Sequence, residues 1–322
     1  MPRVLLLATG DTIAYRQHSG RPAIATAAEL LVAAGVPAVD VRAEDVMAEP
    51  SWDTSPATML SLARRVRTAL ADDGFDGVVV THGIDTLEET AFLTDLIVGR
   101  AAARGGVVFT GAAHCLDEPA SDGPGNLASA LTAAAHPTTR GLGTLVCFNR
   151  ELHAARWATL TDTTEPSAFS SAPHPLLGRV TPTGGVTITA TPPARPPQAE
   201  GTPESDVALI KTYPGITPAL LTTAADAGAR GIVLEGTGAG NVPVELFTTI
   251  SELTEWDIPV VLASRARTHP TALDHAHEGT GLATKVGAIS ARGLTPAHAR
   301  IALMVALGSG GVAAVREWFG RL

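Results

Sequence analysis

Along the first half of the chain, short apolar runs alternate with longer amphipathic stretches. "RVLLLAT" (3–9), "GVVVT" (77–81), "GVVFTG" (106–111) and "GTLVCF" (143–148) predict buried strands. Between them, "AAELLVAAG" (27–35) predicts a helix with a glycine stop. "SPATMLSLARRVRTALAD" (55–72) has a serine N-cap, a proline in its first turn and apolar residues spaced at three and four. "TLEETAFLTDLIVG" (86–99) and "GPGNLASALTAAA" (123–135) predict two further helices. Strands apolar on both faces, joined by crossover helices, make an α/β fold: a mostly parallel sheet with helices on both faces.

The pattern breaks at "TPPARPPQAEGTPESD" (191–206), a proline-rich polar stretch of linker composition. It then resumes with "VALIKTY", "GIVLEG" and "PVVLAS" as strands and helices near 217–227, 243–254, 295–306 and 311–320. The expected organisation is a larger N-terminal α/β domain at 1–190, a linker at 191–206 and a smaller C-terminal α/β domain at 207–322.

Composition agrees with this picture and narrows the function. The 322 residues are 45% hydrophobic and 17% charged, enough for a sizeable core. A net charge of −9 argues against nucleic-acid or anionic-membrane partners, which need basic surfaces. Cys115 and Cys147 make no disulfide framework and lie in no metal-type cluster. No apolar run reaches the roughly 18 residues of a membrane span, and the apolar part of "MPRVLLLATG" is too short for a signal peptide. The expectation is a soluble, cytoplasmic protein. Its only lysines are Lys211 and Lys285.

In open parallel sheets ligands bind beyond the carboxyl ends of the strands. There "ATGDTIAY" (8–15), "EPSWDTSP" (49–56) and "THGIDTLEET" (81–90) supply hydroxyls from Thr9, Thr12, Ser51 and Thr81, and carboxylates from Asp11, Asp53 and Asp85. Each has a bland reading. Gly10 suits a tight turn. Asp85 and Glu88 have the spacing of a helix N-cap and its capping-box partner. Thr12 in isolation is a turn threonine, because a hydroxyl is a weak nucleophile until a base activates it. Asp11 reads as an exposed turn aspartate as readily as a base, and Tyr15 alone says little.

"LLLATGDTIA" and "VVVTHGIDTLEETAFLTDL" resemble the two signatures of the bacterial-type asparaginases and glutaminases, approximately "ATGGTIA" and "THGTDTLEETA". "ASDGPGNL" (120–127), "NRELHAAR" (149–156), "GTGAGNVP" (236–243) and "GLTPAHARIAL" (293–303) are similar to family segments in the expected order. The resemblance implies hydrolysis of a side-chain amide through an acyl-enzyme, with Thr12 as nucleophile and Tyr15 assisting from the following loop. It implies that Ser51 binds the substrate α-carboxylate and Asp85 the α-ammonium. It also implies a homo-oligomer, a dimer or tetramer, in which an acidic residue of the C-terminal region, loosely Glu278, serves a neighbouring subunit's site. The substrate is then a small amino-acid-like molecule, and no cofactor or metal is implied.

The chain departs from the family pattern at four positions. Ile84 stands where the second signature has a threonine, and Leu160, in "HAARWATL", where a catalytic lysine is expected. Trp52 follows Ser51, and Asp11 replaces a glycine just before the nucleophile. Trp52 would reshape the pocket or stack over a flat substrate. Ile84 and Leu160 replace a hydroxyl and an ammonium that work together. Replacing both by apolar groups can be nearly neutral for stability, whereas losing one would strand the other at about 1–3 kcal/mol. Three readings follow: an amidohydrolase weak on free L-asparagine, a non-catalytic amino-acid-binding homologue, and a genuine L-asparaginase activated by Asp11 and Tyr15.

Two weaker signals remain. "GTGAGN" (236–241) lies between a strand and a helix, as a dinucleotide loop would, but lacks the third glycine. "DHAHE" (274–278) collects histidines and carboxylates that suit either a metal or a solvated loop. His82, between Thr81 and Gly83, has a positional role in the resemblance.

Overall fold

The computed structural model describes residues 1–18, 20–35, 39–194, 199–267 and 281–322. They divide into two compact units, Met1–Pro193 and Ala194–Leu322.

The first unit is built on β1 (Arg3–Ala8), β2 (Tyr15–His18), β3 (Arg21–Ile24), α1 (Ala27–Ala34), β4 (Asp40–Asp45), α2 (Pro56–Ala71), β5 (Gly77–Thr81), α3 (Leu87–Val98), β6 (Gly106–Thr110), α4 (Gly123–Ala135) and β7 (Thr144–Phe148). It continues through β8 (Glu151–Ala154), β9 (Thr159–Leu160), β10 (Phe169–Ser170), β11 (Gly178–Val180) and β12 (Val186–Ile188). The main sheet has eight strands in the order β12-β11-β8-β7-β6-β5-β1-β4. From β4 to β7 the pairings are parallel, and β8, β11 and β12 extend the sheet in antiparallel fashion. The apolar runs foresaw β1, β5, β6 and β7, whereas β4, largely polar and only partly buried, offered no such run. The antiparallel strands are three or four residues long, of mixed polarity, and gave no period to read.

Alternation along β1 divides the core. Val4, Leu6 and Ala8 face one cluster with Leu30 of α1 and Leu127 and Leu131 of α4. Leu5 and Leu7 face the other, with Leu62 and Val66 of α2 and Leu87 and Ala91 of α3. Leu5, Leu6 and Leu7 are all fully buried, and each such burial contributes about 1.5–3 kcal/mol. The helix ends follow their caps. Ser55 accepts the Thr58 N–H at the start of α2, and Gly35, left-handed at φ 61°, closes α1.

The chain leaves β1 for β4 on one side and later places β5 on the other. A crevice therefore opens at the carboxyl ends of β1 and β5, where the winding direction reverses.

The second unit contains β13 (Val207–Lys211), α5 (Ala219–Asp226), β14 (Gly231–Gly236), α6 (Phe247–Glu255), β15 (Val260–Ser264), β16 (Ile289–Ser290) and α7 (Pro296–Gly320). Its four strands are parallel in sequence order. Ile232, Leu234, Val260 and Leu262 pack with Leu221 of α5 and Ile250 and Leu253 of α6. α7 packs on β13 to β16. It is long and apolar enough by length and composition to cross a membrane, but Ala299, Ala302, Leu303 and Ala306 are buried within this unit. At Gly311 the backbone leaves the helical region (φ 65°, ψ −165°), which divides α7 where the sequence predicts two helices. Lys211, at the end of β13, pairs with Glu235 at 3.0 Å and keeps its side chain mostly exposed. The two-unit α/β architecture is the fold class the sequence predicts.

Candidate active site

Three loops converge at the β1–β5 crevice. The first leaves β1 through Gly10 and Asp11, both left-handed (φ 84° and 67°). Glycine adopts this conformation freely and aspartate tolerates it. The turn then closes with the Ala14 N–H on the Asp11 carbonyl at 2.9 Å, and it presents Thr12 half-buried. Thr9 anchors the turn to β5 by donating its hydroxyl to the Thr81 carbonyl at 2.7 Å.

The left-handed backbone turns the Asp11 carboxylate back over its own chain. Its Oδ1 accepts the Thr12 N–H at 2.7 Å and the Thr12 hydroxyl at 3.2 Å. Its Oδ2 accepts the Ser51 N–H at 2.6 Å. Ser51 starts a short 3₁₀ turn, Ser51–Asp53, and is buried. Its hydroxyl donates to Asp85 Oδ2 at 3.2 Å, and its carbonyl accepts the Thr86 hydroxyl at 2.7 Å. Thr12, Asp11, Ser51 and Asp85 therefore form one hydrogen-bonded chain across three loops. Gly83 makes room for it: a Cβ there would lie 1.9 Å from Asp11 Oδ2 and 2.3 Å from Ser51 Oγ.

Beneath the crevice His82 is buried, with Nδ1 donating to the Gly83 carbonyl at 2.8 Å. Burial pushes its imidazole below the ordinary value, against the opposing pull of that carbonyl and of the Asp11 and Asp85 carboxylates.

The capping expectation for Asp85 and Glu88 is overturned. α3 is capped at Thr86, with no side-chain hydrogen bond. The Thr86 hydroxyl goes to Ser51, Asp85 takes the Ser51 hydroxyl, and Glu88 Oε2 accepts the Leu160 N–H at 2.7 Å. Cross-loop partners displace the local cap.

Ile84 is buried in the apolar cluster on the α3 face of the sheet, with Leu87, Ala158, Ala168 and Phe169. Leu160, in β9, packs against the same cluster. The two departed positions thus lie in one hydrocarbon environment. Tyr15 begins the β2–β3 hairpin, and its hydroxyl lies 3.5 Å from Gln17 Nε2. Its backbone N–H donates to the Thr12 carbonyl at 3.2 Å, but among the described residues its hydroxyl makes no hydrogen bond to Thr12. Trp52 is 71% exposed. Glu278 and the 274–278 segment lie outside the described residues. Among those residues no group of histidine, cysteine and carboxylate side chains could hold a metal. "GTGAGN" folds as a closed turn, with the Thr237 N–H donating to the Asn241 carbonyl at 2.8 Å.

The sequence reading gave no role to Asp122 and Asn126, which shape the loop after β6. Asp122 accepts the N–H groups of Ala113 and His114 and the Asn126 amide, which also donates to the Gly111 carbonyl. The ordered loop then donates the Leu116 N–H to the Tyr15 carbonyl at 2.8 Å, buttressing the hairpin. The visible signal was an aspartate and an asparagine four residues apart at a helix start.

The hydroxyl of Thr12, bonded to a carboxylate, thus stands at the switch point of a doubly wound α/β sheet, the place where such scaffolds bind their ligands. The chain belongs to the asparaginase family. Residues 3–194 match the family's N-terminal domain, "Asparaginase, N-terminal", and residues 206–319 match the "Glutaminase/Asparaginase C-terminal domain". Among its relatives, a probable L-asparaginase of Deinococcus radiodurans is 36% identical, covering 96% of this chain and 94% of its own length. L-asparaginase 2 of Escherichia coli is 31% identical over 95% of this chain and 89% of its own. The glutaminase-asparaginase of Pseudomonas fluorescens is 30% identical over 95% and 86%.

Proposed function

We propose that this protein hydrolyses the amide of a small amino-acid-like substrate through an acyl-enzyme on Thr12, and that it is a poor catalyst on free L-asparagine. The observation that carries the reading is the 3.2 Å hydrogen bond from the Thr12 hydroxyl to Asp11. Thr12 Oγ attacks the amide carbonyl carbon while its proton passes to Asp11 Oδ1. The C–N bond breaks and that proton leaves with the nitrogen as ammonia. Water then adds to the resulting ester, giving the carboxylic acid and restoring the Thr12 hydroxyl. Asp85 and Ser51 form the wall that holds the substrate, Asp85 by attracting an ammonium group. Tyr15 is placed on an adjoining hairpin, where it assists only by moving. Ile84 and Leu160 withdraw the hydroxyl and ammonium that the resemblance assigns to activation, and removing members of a catalytic unit costs up to about 10⁶ in rate. The same two residues favour a second reading, an amino-acid-binding homologue without turnover. Assembly as a homo-oligomer and a cytoplasmic location belong to the proposal.

The test is ammonia release from L-asparagine, L-glutamine, D-asparagine and wider amides, with Thr12→Ala alongside. Turnover that disappears in Thr12→Ala supports the reading. Turnover that persists in Thr12→Ala, or its absence on every amide, refutes it and leaves the binding reading.

A further inference from the structure

Both donors of Ser51, and its carbonyl acceptor, are already engaged. Its N–H is on Asp11 Oδ2, its hydroxyl on Asp85 Oδ2, and its carbonyl is held by Thr86. The Thr12 N–H, the next donor in the crevice, is on Asp11 Oδ1. The chain's own carboxylate thus sits where converging N–H groups would receive an anion. Gly83 lies against that carboxylate and would not admit even a methyl group. Two carboxylates, Asp11 and Asp85, flank Ser51. Among the described residues neither takes part in an ion pair. A ligand carboxylate entering here meets two like charges and finds no free donor on Ser51 or the Thr12 backbone. An ammonium meets the opposite.

We propose that Asp11 is a specificity residue: an internal carboxylate that fills the anion cradle and directs the site to amides carrying an amine but no free α-carboxylate. The preferred class is then an amino-acid amide or a simple ω-amino amide, not a free amino acid. The inference rests on the hydrolase reading for turnover, but it makes its own claim about binding. It also gives the departures a common sense. A residue that excludes the α-carboxylate and two that remove the relay would retune one site for a different amide.

The experiment is calorimetric binding to the non-hydrolysing Thr12→Ala protein, so that affinity is read apart from catalysis. The probes are L-asparagine, L-asparagine α-amide and 3-aminopropanamide. The α-amide is expected to bind more tightly than L-asparagine by at least about tenfold, since like-charge juxtaposition is strongly disfavoured. 3-Aminopropanamide is expected to bind despite having no α-substituent. Adding Asp11→Gly, which suits the left-handed backbone, is expected to reverse the order. Asp11→Asn, of equal shape, is expected to narrow it. Equal or tighter binding of L-asparagine overturns the proposal, and so does binding of none of the three. Hydrolysis of L-asparagine in preference to its α-amide by the wild type would sink it while leaving the Thr12 reading intact. Absence of all hydrolysis with the binding order preserved would do the reverse.

Discussion

Ile84 and Leu160 belong to one apolar cluster, and that placement predicts how they respond to being changed singly and together. Ile84→Thr exchanges buried hydrocarbon for a hydroxyl at a site only 7% exposed. The lost apolar burial costs about 1.5 kcal/mol, and the stranded hydroxyl about 1–3 kcal/mol more. A loss near 3 kcal/mol is therefore expected. Leu160 is only partly buried, so Leu160→Lys loses about half a leucine's burial, about 1 kcal/mol, because the lysine stem stays apolar and its ammonium can reach outward. In the double variant the ammonium supplies the partner that the threonine lacks, and a hydrogen bond to a charged group returns about 1.5 kcal/mol or more. The double variant should therefore be less destabilised than the sum of the singles by about 1–2 kcal/mol. Urea unfolding of all four proteins, with slopes compared to confirm a common unfolded state, measures this coupling. Additivity within about 0.5 kcal/mol would refute the idea that these two positions were changed as partners.

Two other predictions concern the crevice. Gly83→Ala places a methyl group inside the Asp11–Ser51 contact. A displacement of about 1 Å in such a site costs about 100-fold in rate, so activity on the best amide should fall by that order with circular dichroism unchanged, and full activity would contradict the geometry. For His82 the sign follows from its lowered folded value. Above the ordinary value of 6.5 both states are neutral and nothing changes. As pH falls below it the unfolded chain takes up the proton first, so stability declines by up to about 1.4 kcal/mol per pH unit until the buried imidazole also titrates. His82→Gln should thus lose less melting temperature than wild type between pH 6.5 and 5, and parallel curves would show the assignment wrong.

The parts of the site legible in the sequence were those announced locally. Thr12, Ser51 and Asp85 stand where strands end and polar residues cluster, and the two signature motifs connect them. The four helices of the first unit were also legible, because caps such as Ser55 and Gly35 act within one turn. What could not be read depends on distance along the chain. Asp11 reaches Ser51 forty residues away, and it does so from a left-handed backbone that its own sequence does not announce. Asp85 looked like a cap because its neighbours in sequence allow it. Its neighbours in space, Ser51 above all, decide otherwise. The strands β8, β11 and β12 escaped notice for the same reason, since their partners, not their own pattern, make them strands.

The lysine at the end of β13 has a practical consequence. Lys211 and Lys285 carry the only ε-amines of the sequence, and both lie in the second unit. Amine-directed chemistry, whether a cross-linker, a fluorophore ester or an activated resin, therefore finds no side-chain target in the unit that carries Thr12. Every lysine-mediated attachment to such a support runs through the second unit, and no side chain of the β1–β5 crevice is consumed in making it.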